Sequence, residues 1–93
     1  MILNPGAVGG GGLKVVAHGT ATATEMGNTI DVPTAIFALI ISANSNPCLA
    51  LRGTYIVDAM GMSITGQLSD DGSQLTVWSP TTRAVDVEYW AIG

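Results

Sequence analysis

The residues able to carry chemistry in this chain are few and scattered. His18 is the only histidine and Cys48 the only cysteine. A Cys48/His18 nucleophile pair is formally available, because such a pair needs proximity in space and not in sequence. Nothing local supports it: Pro47 precedes the cysteine and no helix pattern follows it. The acids are Glu25, Asp31, Asp58, Asp70, Asp71, Asp86 and Glu88. Asp86 and Glu88 share one face of an extended segment, and a glycosidase needs two carboxylates across one cleft. The same two positions also describe a solvated strand face when Val85, Val87 and Tyr89 point inward. Asp70 and Asp71 precede Gly72 in a strong turn signal and lack the spacing of a calcium-binding loop. That leaves no convergent set of groups with complementary pKa values, no metal-ligand cluster and no cofactor motif. The expectation is a chain that is not an enzyme, with no catalytic, cofactor or metal residues. Replacing His18 or Cys48 should abolish no activity.

The aromatic residues are more suggestive. By alternation along the last segment, Tyr89 faces inward, and Trp90 faces outward beside Asp86, Glu88 and Ile92. Trp78 shares a face with Thr76. An indole on a polar face packs against a neighbouring subunit or stacks on sugar. Trp78, Trp90, Glu88 and His18 are therefore the candidate interface or glycan contacts, with the interface reading favoured.

These residues sit on elements that read as strands. From Leu13 the period is two: Leu13, Val15, Ala17, Gly19, Ala21 and Ala23 point one way, and Lys14, Val16, His18, Thr20, Thr22 and Thr24 the other. Residues 25–28 read as a turn and residues 29–32 as a short return strand stopped by Pro33. Residues 35–43 are apolar on both faces, and their β-branched and aromatic content favours a central strand over a short buried helix. Residues 42–47 read as a loop. A strand follows from Cys48 to Val57, broken at Gly53, then another over residues 60–68, another over 74–78, and the last from Ala84 to Ile92. Six to eight strands with turns every eight to twelve residues predict an all-β fold, a small antiparallel β-sandwich or partly closed barrel. The domain should cover residues 13–93. Residues 1–12, with four consecutive glycines at 9–12, read as a flexible arm.

Composition bounds the partners. The 93 residues carry a net charge of −4, and only Lys14, Arg52 and Arg83 are cationic. Binding a phosphate backbone takes clustered cations, so neither nucleic acid nor an anionic membrane is an expected partner. Only 11% of residues are charged, against roughly 25% in ordinary soluble domains. Such a sparse surface points to part of it being covered by copies of the same chain, most simply a homotrimer. With one cysteine there is no internal disulfide, so packing or oligomerisation must stabilise a domain of this size. The longest apolar run, residues 35–41, falls short of the about 18 residues needed to span a membrane as a helix. The first residues lack the basic region of a signal peptide.

The run Gly12-Leu13-Lys14-Val15-Val16-Ala17-His18-Gly19-Thr20-Ala21, the segment Gly72-Ser73-Gln74-Leu75-Thr76-Val77-Trp78 and the closing Val87-Glu88-Tyr89-Trp90-Ala91-Ile92-Gly93 together resemble small β domains of tailed-bacteriophage virion proteins. The resemblance is to tail-fibre, tail-spike and accessory or decoration modules. It is one of style across residues 12–93, and no functional residue carries over by position. It implies a virion structural protein, assembled in the bacterial host cytoplasm, that is often trimeric and contacts other virion proteins or host surface polysaccharide. The chain departs from fibre shafts in being very short, which favours an accessory or decoration role.

Overall fold

The computed structural model describes residues 13–43, 47–53 and 64–93. The expected glycine-rich arm at 1–12, the strand ends expected at 54–57 and 60–63, and the middle of the expected loop at 44–46 lie outside the described residues. Among the described residues there are seven strands and no helix. They are β1 (Val15–Ala23), β2 (Asn28–Asp31), β3 (Phe37–Ile41), β4 (Cys48–Leu51), β5 (Thr65–Leu68), β6 (Gln74–Trp78) and β7 (Val85–Ile92). Two antiparallel sheets result, one ordered β1-β7-β3-β4 and the other β2-β6-β5. The all-β sandwich is as the alternation predicts, and it is not a closed barrel. Two isolated parallel bridges, Thr24 with Trp78 and Arg52 with Leu68, tie one sheet to the other.

The core forms where the two inner faces meet. Ala23, Ala38, Ile40, Ala50, Val87 and Ala91 come from the larger sheet, and Leu68, Leu75 and Val77 from the smaller one. Alanines dominate the larger sheet's inner face, so the sheets can approach closely and the larger aliphatics of the smaller sheet fill the gap. Gly66 on β5 is part of this fit: a Cβ there would run into Ile40 Cδ1 and stand 3.4 Å from Ala50 Cβ.

Two expectations need correction. Residues 29–32 do not return along β1. β2 pairs with β6, so the turn after β1 carries the chain around a corner into the second sheet. Gly27 N donates to Thr24 O, Ser79 N donates to the same carbonyl, and the Asn28 side chain donates to Thr22 O, which fixes the corner. The second correction is at the start of β1. Val15 opposes Ile92 whereas Ala17 opposes Ala91, so one extra residue is accommodated between them. This bulge turns Val15 out to solvent, 51% exposed, while Val16 and Ala17 both pack on the core. Val15 therefore does not share a face with Ala17.

The turn at residues 69–74 joins β5 to β6. Asp71 Oδ1 accepts from Ser69 Oγ at 2.8 Å, Ser73 N at 3.0 Å and Ser73 Oγ at 2.7 Å. Ser69 Oγ in turn accepts from Ser73 N and Gln74 N. These donors favour the ionised carboxylate and draw its pKa from 3.8 down to about 2, the Ser73 hydroxyl contributing most. Because the folded pKa lies below the unfolded one, the stabilisation is present above about pH 4 and fades as the pH falls toward 2. The thermal midpoint of the wild type should drop across that window more steeply than that of Asp71→Asn. Parallel pH profiles for the two proteins would show that the carboxylate does not anchor the turn.

Candidate functional site: the outer face of the four-stranded sheet

Three of the four candidate contacts meet on one surface. Trp90 of β7 pairs directly with His18 of β1, and Glu88 lies one pleat further along β7. The imidazole stacks on the indole with centroids 4.7 Å apart and planes 11° from parallel. His18 Nε2 lies 2.8 Å from Glu88 Oε2, as donor to the carboxylate, with both side chains about half exposed. The alternation of β7 turns Val85, Val87, Tyr89 and Ala91 to the core, and this arrangement follows on the other side.

Trp78 is elsewhere. It lies on β6 in the smaller sheet, opposite Thr65, with its indole against the turn at Gly27. A Cβ on Gly27 would stand 2.5 Å from Trp78 Nε1. The ring is therefore packed on the corner between the sheets and does not join the His18–Trp90–Glu88 group.

The surroundings of that group are apolar. The register places Leu39 beside Trp90 and Leu49 beside Leu39, so one row across the sheet reads His18, Trp90, Leu39, Leu49. The next row reads Val15, Ile92, Phe37, Leu51. In the opposite direction polar residues join the face: Thr20 and Glu88 beside Ile41, then Thr22 and Asp86, with Thr22 Oγ1 donating to Asp86 Oδ1 at 3.1 Å. Val15, Leu49 and Ile41 are among the exposed large hydrophobics. The leucines of β3 and β4 were not singled out from sequence. The signal was present in the two-sided apolar character of residues 35–43, which on the inner side alone would need only Ala38 and Ile40.

The outer face of the smaller sheet is the reverse. Thr29 and Asp31 of β2, Gln74 and Thr76 of β6 and Gln67 of β5 lie there in register. Thr29 and Thr76 hydroxyls bond at 2.7 Å, and Gln74 Nε2 donates to Asp31 Oδ1. A groove of about 220 Å3 runs among Thr29, Gln67, Ser69, Asp70, Gln74 and Thr76.

The other candidate chemistry is separated. Cys48 is on β4 and its partner is the buried Ile40, so it faces inward, while His18 faces outward on β1. β1 and β4 are opposite edges of the sheet, three strand spacings or about 14 Å apart. The Cys48/His18 pair is not formed. Burial pushes the Cys48 thiol up, only partly offset by a hydrogen bond with the Gly66 backbone, which keeps it from being a ready thiolate at neutral pH. Asp86 and Glu88 stand on the outer face of the four-stranded sheet and are engaged by Thr22 and His18. Asp71 is committed to its turn. Among the described residues no three His, Cys, Asp or Glu side chains form a group that could hold a metal ion.

A second depression, about 430 Å3, lies at the sandwich end between Ser42 and the turn at 79–84 and includes Arg83 and Asp86. Ser79 and Thr81 are engaged in that turn, where Ser79 Oγ donates to Arg83 O and Arg83 N donates to Thr81 Oγ1, whereas the buried Ser42 Oγ has no hydrogen-bond partner among the described residues. Comparison of the chain with family models, with curated proteins and with solved structures found no match.

Proposed function

We propose that this chain is a non-catalytic virion structural module, of tail-fibre or accessory type, that works by assembling with copies of itself. The observation that carries the assembly reading is the inequality of the two outer faces. A sandwich that stands alone in water normally dresses both outer faces with polar side chains. Here the smaller sheet does so, with threonines, glutamines and an aspartate, while the larger sheet's outer face carries tryptophan, leucine, isoleucine, valine and phenylalanine in adjoining rows, Val15, Ile41 and Leu49 exposed and Trp90, Leu39 and Phe37 half-buried. Contiguous apolar surface of this kind on an outer face marks an interaction site. The low charge of the chain supports the same reading, and the virion setting rests on the likeness to tailed-phage β modules in the quoted segments.

The alternative is a host-attachment module that binds surface polysaccharide. Its best support is the amide- and hydroxyl-lined groove on the smaller sheet, one pleat along β6 from Trp78. Trp90 fits the sugar reading less well, because the imidazole of His18 already occupies one face of its indole. Sedimentation of the purified chain at micromolar concentration, with a polysaccharide-binding assay on the same sample, separates the two. Assembly predicts a species heavier than the 9.5 kDa monomer and no need for glycan. A monomer that binds polysaccharide would replace the assembly reading with the attachment one. Detection of the chain in purified phage particles tests the virion setting.

A further inference from the structure

We infer that the depression at the end of the sandwich is a binding site for one carboxylated sugar residue, of the uronic acid type, held by Arg83, Ser42 and Asp86. The site stands independently of the assembly reading and lies apart from the groove on the smaller sheet. Four strand ends meet here, two from each sheet. Ser42 follows β3 and Ala84 precedes β7 in the larger sheet, while Ser79 follows β6 and Ile64 precedes β5 in the smaller one. The space among them, about 430 Å3, falls within the range of about 300–1,000 Å3 usual for small-molecule sites.

Two unengaged polar groups line this space. The alternation that turns Ala38 and Ile40 inward brings Ser42 to the inner side as well, and Ser42 is only 8% exposed. Its Oγ is buried and has no hydrogen-bond partner among the described residues. Buried polar side chains are paired as a rule, because an unpaired one has given up water for nothing. A hydroxyl both donates and accepts, so Ser42 Oγ is equipped to meet a ligand hydroxyl. The second group is Arg83, which is exposed and whose guanidinium enters no ion pair among the described residues. Its backbone is fixed from both sides, the carbonyl accepting from Ser79 Oγ at 2.8 Å and the N–H donating to Thr81 Oγ1 at 3.2 Å. The turn that presents the guanidinium is therefore ordered before any ligand arrives, which lowers the cost of binding.

The chemistry of these groups selects the ligand. A guanidinium fork sets two donors against the two oxygens of a carboxylate. Asp86 at the same site repels a second negative charge, so a carboxylate fits better than the dianion of a phosphate monoester. Asp86 Oδ1 takes one bond from Thr22, and a carboxylate accepts several, so Asp86 and Ser42 remain for ring hydroxyls. Ile64, Pro80 and Val85 supply an apolar wall for the C–H face of the ring. A peptide C-terminus brings the carboxylate but none of the hydroxyls that Ser42 and Asp86 would engage.

The test follows the amide chemical shifts of the whole isotope-labelled chain during titration with D-glucuronate, D-glucose and N-acetyl-L-alanine. Glucuronate should shift the amides of residues 42–43 and 79–86 saturably at millimolar concentration. Glucose, which lacks the charge that Arg83 meets, should bind at least about tenfold more weakly. Arg83→Gln should weaken glucuronate binding at least about tenfold, whereas Lys14→Gln, the same charge change at an exposed position elsewhere, should leave it unchanged. Ser42→Ala should weaken binding about three- to tenfold without lowering the thermal midpoint of the ligand-free chain, because the hydroxyl it removes has no partner there. Absence of saturable shifts at these residues would overturn the site. Equal weakening by Lys14→Gln would reduce the effect to general charge attraction and overturn it as well. Tighter binding of N-acetylalanine than of glucuronate would replace the sugar with a peptide C-terminus. A Ser42→Ala chain that binds like the wild type, or that is less stable than it, would remove the hydroxyl from the site. Sedimentation is read separately, so failure here leaves the assembly reading standing.

Discussion

Gly72→Ala is expected to lower the stability of the fold by about 2–4 kcal/mol. Two independent costs add. Gly72 has φ +74°, a conformation that costs an alanine about 1 kcal/mol. The position is also buried in a junction between the sheets. A Cβ there would run into the Ala35 carbonyl oxygen and stand 2.8 Å from Arg52 Nε and Nη2. That same carbonyl accepts from Arg52 Nε at 2.6 Å, and Ala35 N donates to Gly72 O at 3.0 Å. The substitution therefore pushes apart the point where the segment entering β3, the end of β4 and the β5–β6 turn are held together. Leaving those buried groups imperfectly paired costs about 1–3 kcal/mol beyond the backbone term. Gly53→Ala is the control. Gly53 has φ +63°, and among the described residues the atoms in its way belong to the exposed Asp70 side chain, so that variant should lose about 1 kcal/mol. Urea unfolding of the two variants measures the difference. Equal losses would mean that the junction contributes nothing beyond backbone conformation.

What could be read from the sequence divides along the line between local and pairwise information. The turn at Asp70-Asp71-Gly72 is local chemistry, since the aspartates supply acceptors and the glycine supplies positive φ. The alternation in β6 and β7 is likewise a property of each strand alone, and it assigns Tyr89 inward and Trp90 outward without reference to any partner. The central place of β3 follows from its being apolar on both sides. Pairing is different. Three of the four residues of β2 are polar and carry no mark of their neighbour, so the corner that sends them to β6 instead of β1 depends on bonds donated by Ser79 to Thr24 and by Asn28 to Thr22. The bulge at Val16 is equally invisible, because a bulge is defined by the count on the opposite strand. The site shows the same division. That His18, Glu88 and Trp90 point outward is strand-local; that His18 stacks on Trp90 is a matter of register between residues far apart in the chain. Leu49 and Leu51 gain meaning only when β4 is laid beside β3.

Trp90→Ala is expected to raise the oligomer dissociation constant by about 30-fold or more, equivalent to about 2 kcal/mol, the scale seen when a tryptophan at the centre of an interface is truncated. Trp90 lies between His18 and Leu39 in the row that ends on Leu49, so it stands in the middle of the apolar outer face on which the assembly reading rests. The effect on the isolated fold should be smaller. Within one chain the substitution removes the stack on His18, a contact of about 0.5–1.5 kcal/mol, and leaves the inner-face core of Val87, Ala91 and Ile40 untouched. Trp78→Ala should show the opposite profile. Its indole packs over the Gly27 corner and its strand belongs to the smaller sheet, so its loss should lower unfolding stability while the oligomer constant holds. Measuring sedimentation, unfolding and polysaccharide binding on both variants therefore separates three roles. Loss of assembly on Trp90→Ala alone supports assembly through the outer face of the larger sheet. An intact oligomer that no longer binds polysaccharide assigns Trp90 to sugar recognition through the indole face away from His18. If Trp90→Ala alters stability only, then the indole serves the fold of its own chain, and the apolar rows of β3 and β4 would have to hold any assembly without it.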